Sequence, residues 1–494
     1  MHRSGKIENV IVGDHDRIVI PPLSMVRTAG GRLRGLRCIH TCFGKTGIND
    51  EDIMDLACLR LDLLTALTMS DGLPDLMYTA YLVPQPVNGR DWVMLEPVHP
   101  SQQTVSCLPF IEELEEQFVK SRPIRKVEKG NDRAILVSVT TQSKDHAVES
   151  LDELAELARS ADVTVVERVI QRRKSIHPRF ILGKGKLMEI MLRSLHLDAN
   201  LLIFDQELSP SQIRSVTEHT EMRVIDRTQL ILDIFARRAL SREGKLQIEM
   251  AQLKYLLPRL STRDDALSRL TGGIGARGPG ETRLEIDRRR INDRIVRLGR
   301  ELKAVGQERY YRRNRRRKRD VPVISLVGYT NAGKSTLLNT LTRSRIKAED
   351  LLFATLDPTS RRLRFPKDME VIITDTVGFI RNLPAELLKA FESTLEELYE
   401  ADLLVHVIDV SNPSYREQID VVEKLLRDLE LDAIPRLQVF NKIDRVDENT
   451  LNRLSMLDGI AVSAIDEKTL APFIEQAQDM LYHMIEVQPE NGKP

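Results

Sequence analysis

One stretch limits the folds open to this chain: residues 321–338, VPVISLVGYTNAGKSTLL. Its apolar run, residues 323–327, has the composition of a buried strand. The run stops at Gly328, and G-x-x-x-x-G-K-S follows, closed by Gly333, Lys334 and Ser335. Helical spacing begins at Thr336 and runs to Leu341. Strand, glycine loop and helix, in that order, are the context a phosphate-binding loop needs. Glycines let backbone N–H groups turn inward around phosphate oxygens, and the helix N-terminus adds partial positive charge. The expected cradle is Gly328, Tyr329, Thr330, Asn331, Ala332, Gly333, Lys334, Ser335 and Thr336. Lys334 reaches the β- and γ-phosphates, and the Ser335 hydroxyl is offered to Mg²⁺.

The phosphate loop alone does not separate ATP from GTP. The segments after it do. Residues 371–378, VIITDTVG, end a strand in D-x-x-G. Asp375 is expected to hold Mg²⁺ and the Gly378 N–H to meet the γ-phosphate, with Thr376 and Val377 between them. A buried strand is expected over residues 403–409. Residues 436–444 then end in N-K-I-D, with Asn441, Lys442 and Asp444. This tetrad reads guanine, because the Asp444 carboxylate accepts from two ring N–H donors that adenine does not present together. Ser463 and Ala464 resemble the S-A element that meets the guanine carbonyl through its backbone. Together these segments predict a Mg²⁺-dependent GTPase with a mostly parallel sheet and helices on both faces.

The threonine of the first switch should lie between the phosphate loop and D-x-x-G. Residues 351–359, LLFATLDPT, offer Thr355 and Thr359, and Thr355 is favoured as a catalytic and metal contact. Phe379 stands where Ras-like GTPases carry the glutamine that orients water. Intrinsic hydrolysis is therefore expected to be slow, or to rely on a cation or a partner. Asn331 matches the position at which some related GTPases bind K⁺, so stimulation by potassium is expected.

At 494 residues the chain should hold several domains. Expected units are 1–120, 121–224, 225–319 and 320–487, with a tail at 488–494. Residues 121–224 read as a small α/β domain: apolar strand patterns at 134–139, 163–166 and 201–205 alternate with helical patterns at 150–160 and after Pro210. Such alternation predicts a parallel sheet. Gly183, Lys184, Gly185 and Lys186 in this unit read either as a tight turn into a helix over 186–195 or as a phosphate contact.

Residues 230–260 and 281–302 carry apolar residues at threes and fours, which predicts two long helices in an antiparallel hairpin. The break between them, TGGIGARGPGE over 271–281, is too rich in glycine to be helical and too long for a mere connector. Gly272, Gly273, Gly275, Arg277, Gly278 and Gly280, with Arg283 beside them, form a tip that approaches a polyanion closely. Arg263 and Arg269 flank it. The second helix runs into a basic block, YYRRNRRRKR over 310–319. Such a block serves as a solvated linker and also binds phosphate backbone. The formal net charge of the chain is zero, so this is local asymmetry rather than an overall basic character.

In residues 1–120, alternating runs at 9–12 and 17–20 suggest short strands, and 52–68 reads as one amphipathic helix. His40, Cys42 and Asp52 resemble faintly the metal signature of JAB-type isopeptidases. Cys42 replaces its second histidine and Asn49 its serine, so a structural remnant without metal is expected. Cys38, Cys42, Cys58 and Cys107 are read as reduced thiols. No apolar run has membrane-spanning length and no secretory core is visible at the N-terminus, so a cytoplasmic protein is expected.

The motifs GYTNAGKS, LFATLDPT, DTVGFI and NKID, together with the tip GGIGARGPGE, resemble HflX-type GTPases over residues 122–487. The first 120 residues look like the longer N-terminal form of some members. The resemblance implies a cytoplasmic, monomeric GTPase that binds GTP and GDP with Mg²⁺. It further implies docking on the large ribosomal subunit and its rRNA through the hairpin tip, and dissociation of the 70S ribosome in the GTP form. The alternative is an RNA-remodelling or ribosome-assembly factor with a second, ATP site at Gly183–Lys186.

Overall fold

The structure is a computed structural model. It describes residues 1–13, 20, 33–42, 47–87, 90–102, 106–120, 132–179, 181–217, 220, 222–260, 283–317, 321–342, 352–353, 359–366, 368–381 and 398–487. The chain forms two compact units, Met1–Arg227 and Thr228–Pro494.

The first unit holds two four-stranded sheets. One is built from β1 (Arg37–Cys42), β2 (Leu63–Ser70), β3 (Leu73–Val87) and β4 (Arg90–Met94), in that spatial order. β1 and β2 are parallel and the rest antiparallel. Helices α1 (Asp50–Cys58) and α2 (Cys107–Lys120) belong to this part of the unit, and Leu56, Leu64, Leu82, Ile111 and Leu114 share its core.

The helix expected over 52–68 is therefore only its first half. The chain turns at Arg60, whose φ is +50°, and the buried Asp62 carboxylate takes the N–H of Gly35 and the guanidinium of Arg3. Leucines at 56, 59, 61 and 64 fit helical spacing. From 63 onward, however, the run is flanked by strands on both sides and its backbone groups join ladders. Residues 9–12 form no strand and are exposed, and 17–19 lie outside the described residues.

The second sheet has the order β6-β5-β7-β8 and is parallel throughout. Its strands are β5 (Arg133–Thr140), β6 (Thr164–Arg172), β7 (Leu201–Phe204) and β8 (Arg223–Asp226). Near-continuous apolar sequence in β5 and β7 suits strands covered on both faces. Helices α3 (Lys144–Ser160), α4 (Lys184–Leu197) and α5 (Pro210–Thr217) connect them.

In the second unit, the run 230–260 is two helices rather than one: α6 (Arg227–Arg238) and α7 (Arg242–Leu256). Ser241 ends the continuity by capping α7, its Oγ accepting from the Gly244 N–H at 2.9 Å. α8 (Arg283–Arg317) is 35 residues long, about 52 Å at 1.5 Å per residue, and carries helically through the basic block to Arg317. α7 and α8 pack on each other, with Leu298 fully buried and Arg294 gripping Glu249 by two hydrogen bonds of 2.7 and 2.8 Å.

The remaining sheet has the order β10-β11-β9-β12-β13-β14. These are β9 (Val323–Val327), β10 (Thr359–Arg364), β11 (Glu370–Asp375), β12 (Leu403–Asp409), β13 (Arg436–Asn441) and β14 (Ile460–Ala461). All neighbours are parallel except the edge pair β10–β11. Helices α9 (Lys334–Thr342), α10 (Tyr415–Asp428), α11 (Glu448–Leu454) and α12 (Ala471–Val487) complete the domain. Leu326, Leu337, Val371, Val405, Val439 and Phe473 lie in one core. The sheet order places the C-terminal ends of β9, β11, β12 and β13 side by side, and a ligand of an open α/β sheet binds at such strand ends.

Candidate nucleotide-binding site

β9 ends at Val327, and the next residue must turn sharply beside β12. Gly328 has φ +150°, and a Cβ there would stand 2.2 Å from the Val407 carbonyl oxygen. Gly333 has φ +95°, and a Cβ would stand 2.2 Å from Asn441 Nδ2. Both glycines are thus demanded by backbone conformation and by contact. Asn331 between them is also left-handed, at φ +63°. Asparagine tolerates this region better than most side chains.

Lys334 opens α9 and folds back over the loop. Its Nζ donates to the carbonyls of Gly328 at 3.0 Å and Tyr329 at 2.9 Å. Burial pushes its ammonium down to about 8, against the upward pull of Asp375. Ser335 Oγ donates to Asp375 Oδ2 at 2.6 Å, joining the loop to the end of β11. Thr376 Oγ1 donates to the Leu326 carbonyl at 2.6 Å, which fixes the start of D-x-x-G on β9.

The segment after Asp375 lies on the phosphate loop. Thr330 N–H donates to Phe379 O at 2.7 Å, and Phe379 N–H to Gly328 O at 3.1 Å. Arg381 N–H donates to the Tyr329 hydroxyl at 2.8 Å. Gly378 has no room for a side chain: a Cβ would lie 2.8 Å from Thr330 Cα and 3.0 Å from Lys334 Nζ. Phe379 is buried, so its ring packs rather than faces water.

The N-K-I-D and S-A segments close the far side. Asn441 Nδ2 donates to the Ala332 carbonyl at 2.8 Å, and its Oδ1 accepts from the Ala464 N–H at 2.9 Å. Ser463 Oγ donates to Asp444 Oδ1 at 2.6 Å. Lys442 is left-handed at φ +64°, and its Nζ pairs with Asp409 Oδ2 at 2.6 Å. Thr340 Oγ1 on α9 donates to the Ala464 carbonyl at 2.6 Å. These bonds hold the phosphate loop, D-x-x-G, N-K-I-D and S-A segments against one another.

Thr355 and the tip residues Gly272, Gly273, Gly275, Arg277, Gly278 and Gly280 lie outside the described residues, as do Arg263 and Arg269. Arg283 opens the backbone of α8. Sequence reading passed over Tyr329 Oη, Asp409 and Thr340 as contacts. Asp409, the carboxylate that ends the mostly apolar strand β12, was the one with a visible signal.

The other motifs fall in the first unit. Lys184 and Gly185 form the first turn of α4, two residues earlier than expected, and Gly183 precedes it. His40 Nε2 lies 3.2 Å from Asp52 Oδ1, while Asn49 and Asp52 form the capping box of α1.

A parallel sheet with a phosphate loop, a D-x-x-G segment laid against it and an N-K-x-D loop tied to it through Asn441 is the fold and site of a P-loop GTPase. Three family models match in series. They are the GTP-binding GTPase N-terminal region over 148–236, the GTP-binding GTPase middle region over 238–316 and the 50S ribosome-binding GTPase over 323–442. A protein named GTPase HflX from Caldanaerobacter subterraneus is 51% identical over 321 residues, 65% of this chain and 74% of that protein. Namesakes from Alkalihalophilus pseudofirmus and Escherichia coli are 48% and 43% identical, each over 73% of this chain and over 84% and 87% of their own lengths. The chain belongs to the GTPase HflX family. It binds guanine nucleotide and hydrolyses GTP. No helix among the described residues is long and apolar enough to cross a membrane.

Proposed function

We propose that this GTPase binds the large ribosomal subunit in its GTP form, splits or rescues stalled 70S ribosomes, and leaves after hydrolysis. The observation that carries this reading is the backbone pairing of Phe379 with Gly328 and Thr330, which joins the D-x-x-G segment to the phosphate loop. The match of residues 323–442 to a 50S ribosome-binding family supports the ribosome as partner.

Within the site, Lys334 and the loop N–H groups hold the phosphates, and Asp444 with the Ser463–Ala464 backbone reads guanine. The Gly378 N–H would meet the γ-phosphate, and Thr355 is assigned the switch contact to it and to the metal. Ser335 and Asp375, brought together by their hydrogen bond, would supply the hard oxygen donors that a magnesium ion takes. When bound, that ion supplies positive charge that offsets charge developing on the phosphoryl oxygens. Asn331, held left-handed beside the phosphates, suits K⁺ in the same role. With Phe379 buried, no side chain at that position orients water, and hydrolysis leans on the cation or on the partner.

The hairpin tip, Gly272, Gly273, Gly275, Arg277, Gly278 and Gly280 with Arg283, is assigned to rRNA. The family resemblance of the tip and the basic sequence of α8 around it support this assignment. The test is sucrose-gradient sedimentation of 70S ribosomes with the protein and a non-hydrolysable GTP analogue. Loss of the 70S peak and co-migration with the large subunit are expected. Unchanged profiles at every protein ratio refute the reading.

A further inference from the structure

Tyr329 belongs to the phosphate loop, yet its side chain serves a different segment. Its hydroxyl accepts the Arg381 N–H at 2.8 Å, and the residue is 6% exposed. Residues 329 and 379 form an isolated parallel bridge, through Thr330 N–H to Phe379 O at 2.7 Å and Phe379 N–H to Gly328 O at 3.1 Å. The phenol carries this pairing on to residue 381. The guanidinium of Arg381 donates to Glu417 of α10, so both its backbone and its side chain are tied. On the other side of Gly378, Thr376 Oγ1 donates to the Leu326 carbonyl at 2.6 Å. Gly378 is thus held between ties at 376 and at 381, and a Cβ on it would lie 3.0 Å from Lys334 Nζ.

Phe379 offers no group to orient water. What the D-x-x-G segment then brings to the γ-phosphate is a backbone donor, the Gly378 N–H. Such a donor stabilises developing charge best when it is already in place, and a misplacement of about 1 Å can cost about a hundredfold in rate. Its placement is set by whatever holds the segment. The Tyr329 hydroxyl is a tie that comes from the phosphate loop itself and is separable from the loop's backbone.

We propose that Tyr329 is a positioning residue for GTP hydrolysis. Its hydroxyl, taking the Arg381 N–H, fixes Gly378 beside Lys334, and Glu417 supports the same grip from α10. This rests on the reading of Gly378 as the γ-phosphate contact, which GDP lacks.

Tyr329→Phe removes one oxygen and keeps both the ring and the loop backbone. Glu417→Gln removes the charge facing Arg381. Gly378→Ala, which sets a methyl against Thr330, is the control for the γ-phosphate reading. Single-turnover hydrolysis at saturating GTP and the affinities for GDP and a non-hydrolysable GTP analogue are measured for each. Hydrolysis should fall about three- to tenfold in Tyr329→Phe, the worth of one hydrogen bond, and about twofold in Glu417→Gln, whose ion pair is exposed on one side. The analogue should bind more weakly in Tyr329→Phe, with GDP affinity within about twofold of wild type.

Hydrolysis at or above the wild-type rate in Tyr329→Phe, with Gly378→Ala impaired, overturns the proposal. So does a parallel loss of GDP and analogue affinity in Tyr329→Phe, which marks a structural role alone. Wild-type hydrolysis in Gly378→Ala overturns the reading of Gly378 instead.

Discussion

Asn441 Nδ2 donates to the Ala332 carbonyl at 2.8 Å, across 109 residues of chain. The N-K-I-D loop and the phosphate loop are therefore joined by a direct hydrogen bond. The same side chain accepts from the Ala464 N–H, so a single buried amide ties three loops. Asn441→Ala strands two buried backbone groups. Each costs about 1–3 kcal/mol when left without a partner, so a loss of about 2–6 kcal/mol in unfolding free energy is expected. Urea unfolding of the nucleotide-free protein measures it, and a change below about 0.5 kcal/mol contradicts the tie.

Lys334 gives a pH dependence of definite sign. Its folded-state value, about 8, lies below the ordinary 10.5, so the unfolded chain binds more protons between the two. The contribution to stability is present in full above 10.5 and is lost as pH falls through about 8. Phosphate at the site favours the ammonium, so nucleotide binding takes up a proton once pH exceeds that value. GDP affinity should decline between about pH 7.5 and pH 9, with proton uptake visible as a buffer-dependent binding enthalpy. A flat profile, or one unchanged in Lys334→Arg, removes Lys334 as its source.

The sequence was most legible where spacing is short and chemistry local. Phosphate loop, D-x-x-G, N-K-I-D and S-A each fit in a few residues, and β9, β11, β12 and β13 follow from apolar runs that end in them. Legibility failed where two periods overlap. Leucines at 56, 59, 61 and 64 suit a helix, yet the chain leaves it at Arg60 because Asp62 is drawn into bonds with Arg3 and Gly35, neither visible locally. The break at 239–241 was marked only by Ser241, a cap hidden inside a run of good helix formers. The edge-on contact of Phe353 with Phe235 of α6 was out of reach, since the two rings lie 118 residues apart in sequence and the left-handed backbone of Phe353, at φ +57°, has no sequence signal.

Base recognition has a sharp test in Asp444. Ser463 Oγ donates to its Oδ1 at 2.6 Å, which would hold the carboxylate for the N1–H and 2-amino donors of guanine. Asp444→Asn turns one acceptor into a donor and should shift preference from GTP to xanthosine triphosphate by at least about tenfold, as expected when a hydrogen-bonding pair is mismatched. Ser463→Ala should weaken GTP less, by about 0.5–1 kcal/mol, the net value of one ordinary hydrogen bond. Undiminished GTP affinity in Asp444→Asn contradicts the assignment of this loop to guanine.

Thr330 poses the converse case. Its hydroxyl is buried and has no hydrogen-bond partner among the described residues, while its Cα and Cγ2 are the atoms a Gly378 Cβ would strike. A buried hydroxyl without a partner costs about 1–3 kcal/mol, so it is kept against stability. Thr330→Val preserves the shape and removes the oxygen. The nucleotide-free protein should become more stable by about 1 kcal/mol in urea unfolding, and stabilisation by a GTP analogue should shrink if the hydroxyl meets phosphate or water there. Greater apo stability with unchanged response to the analogue assigns the hydroxyl no part in binding. A destabilised apo protein shows that the hydroxyl is satisfied within the fold.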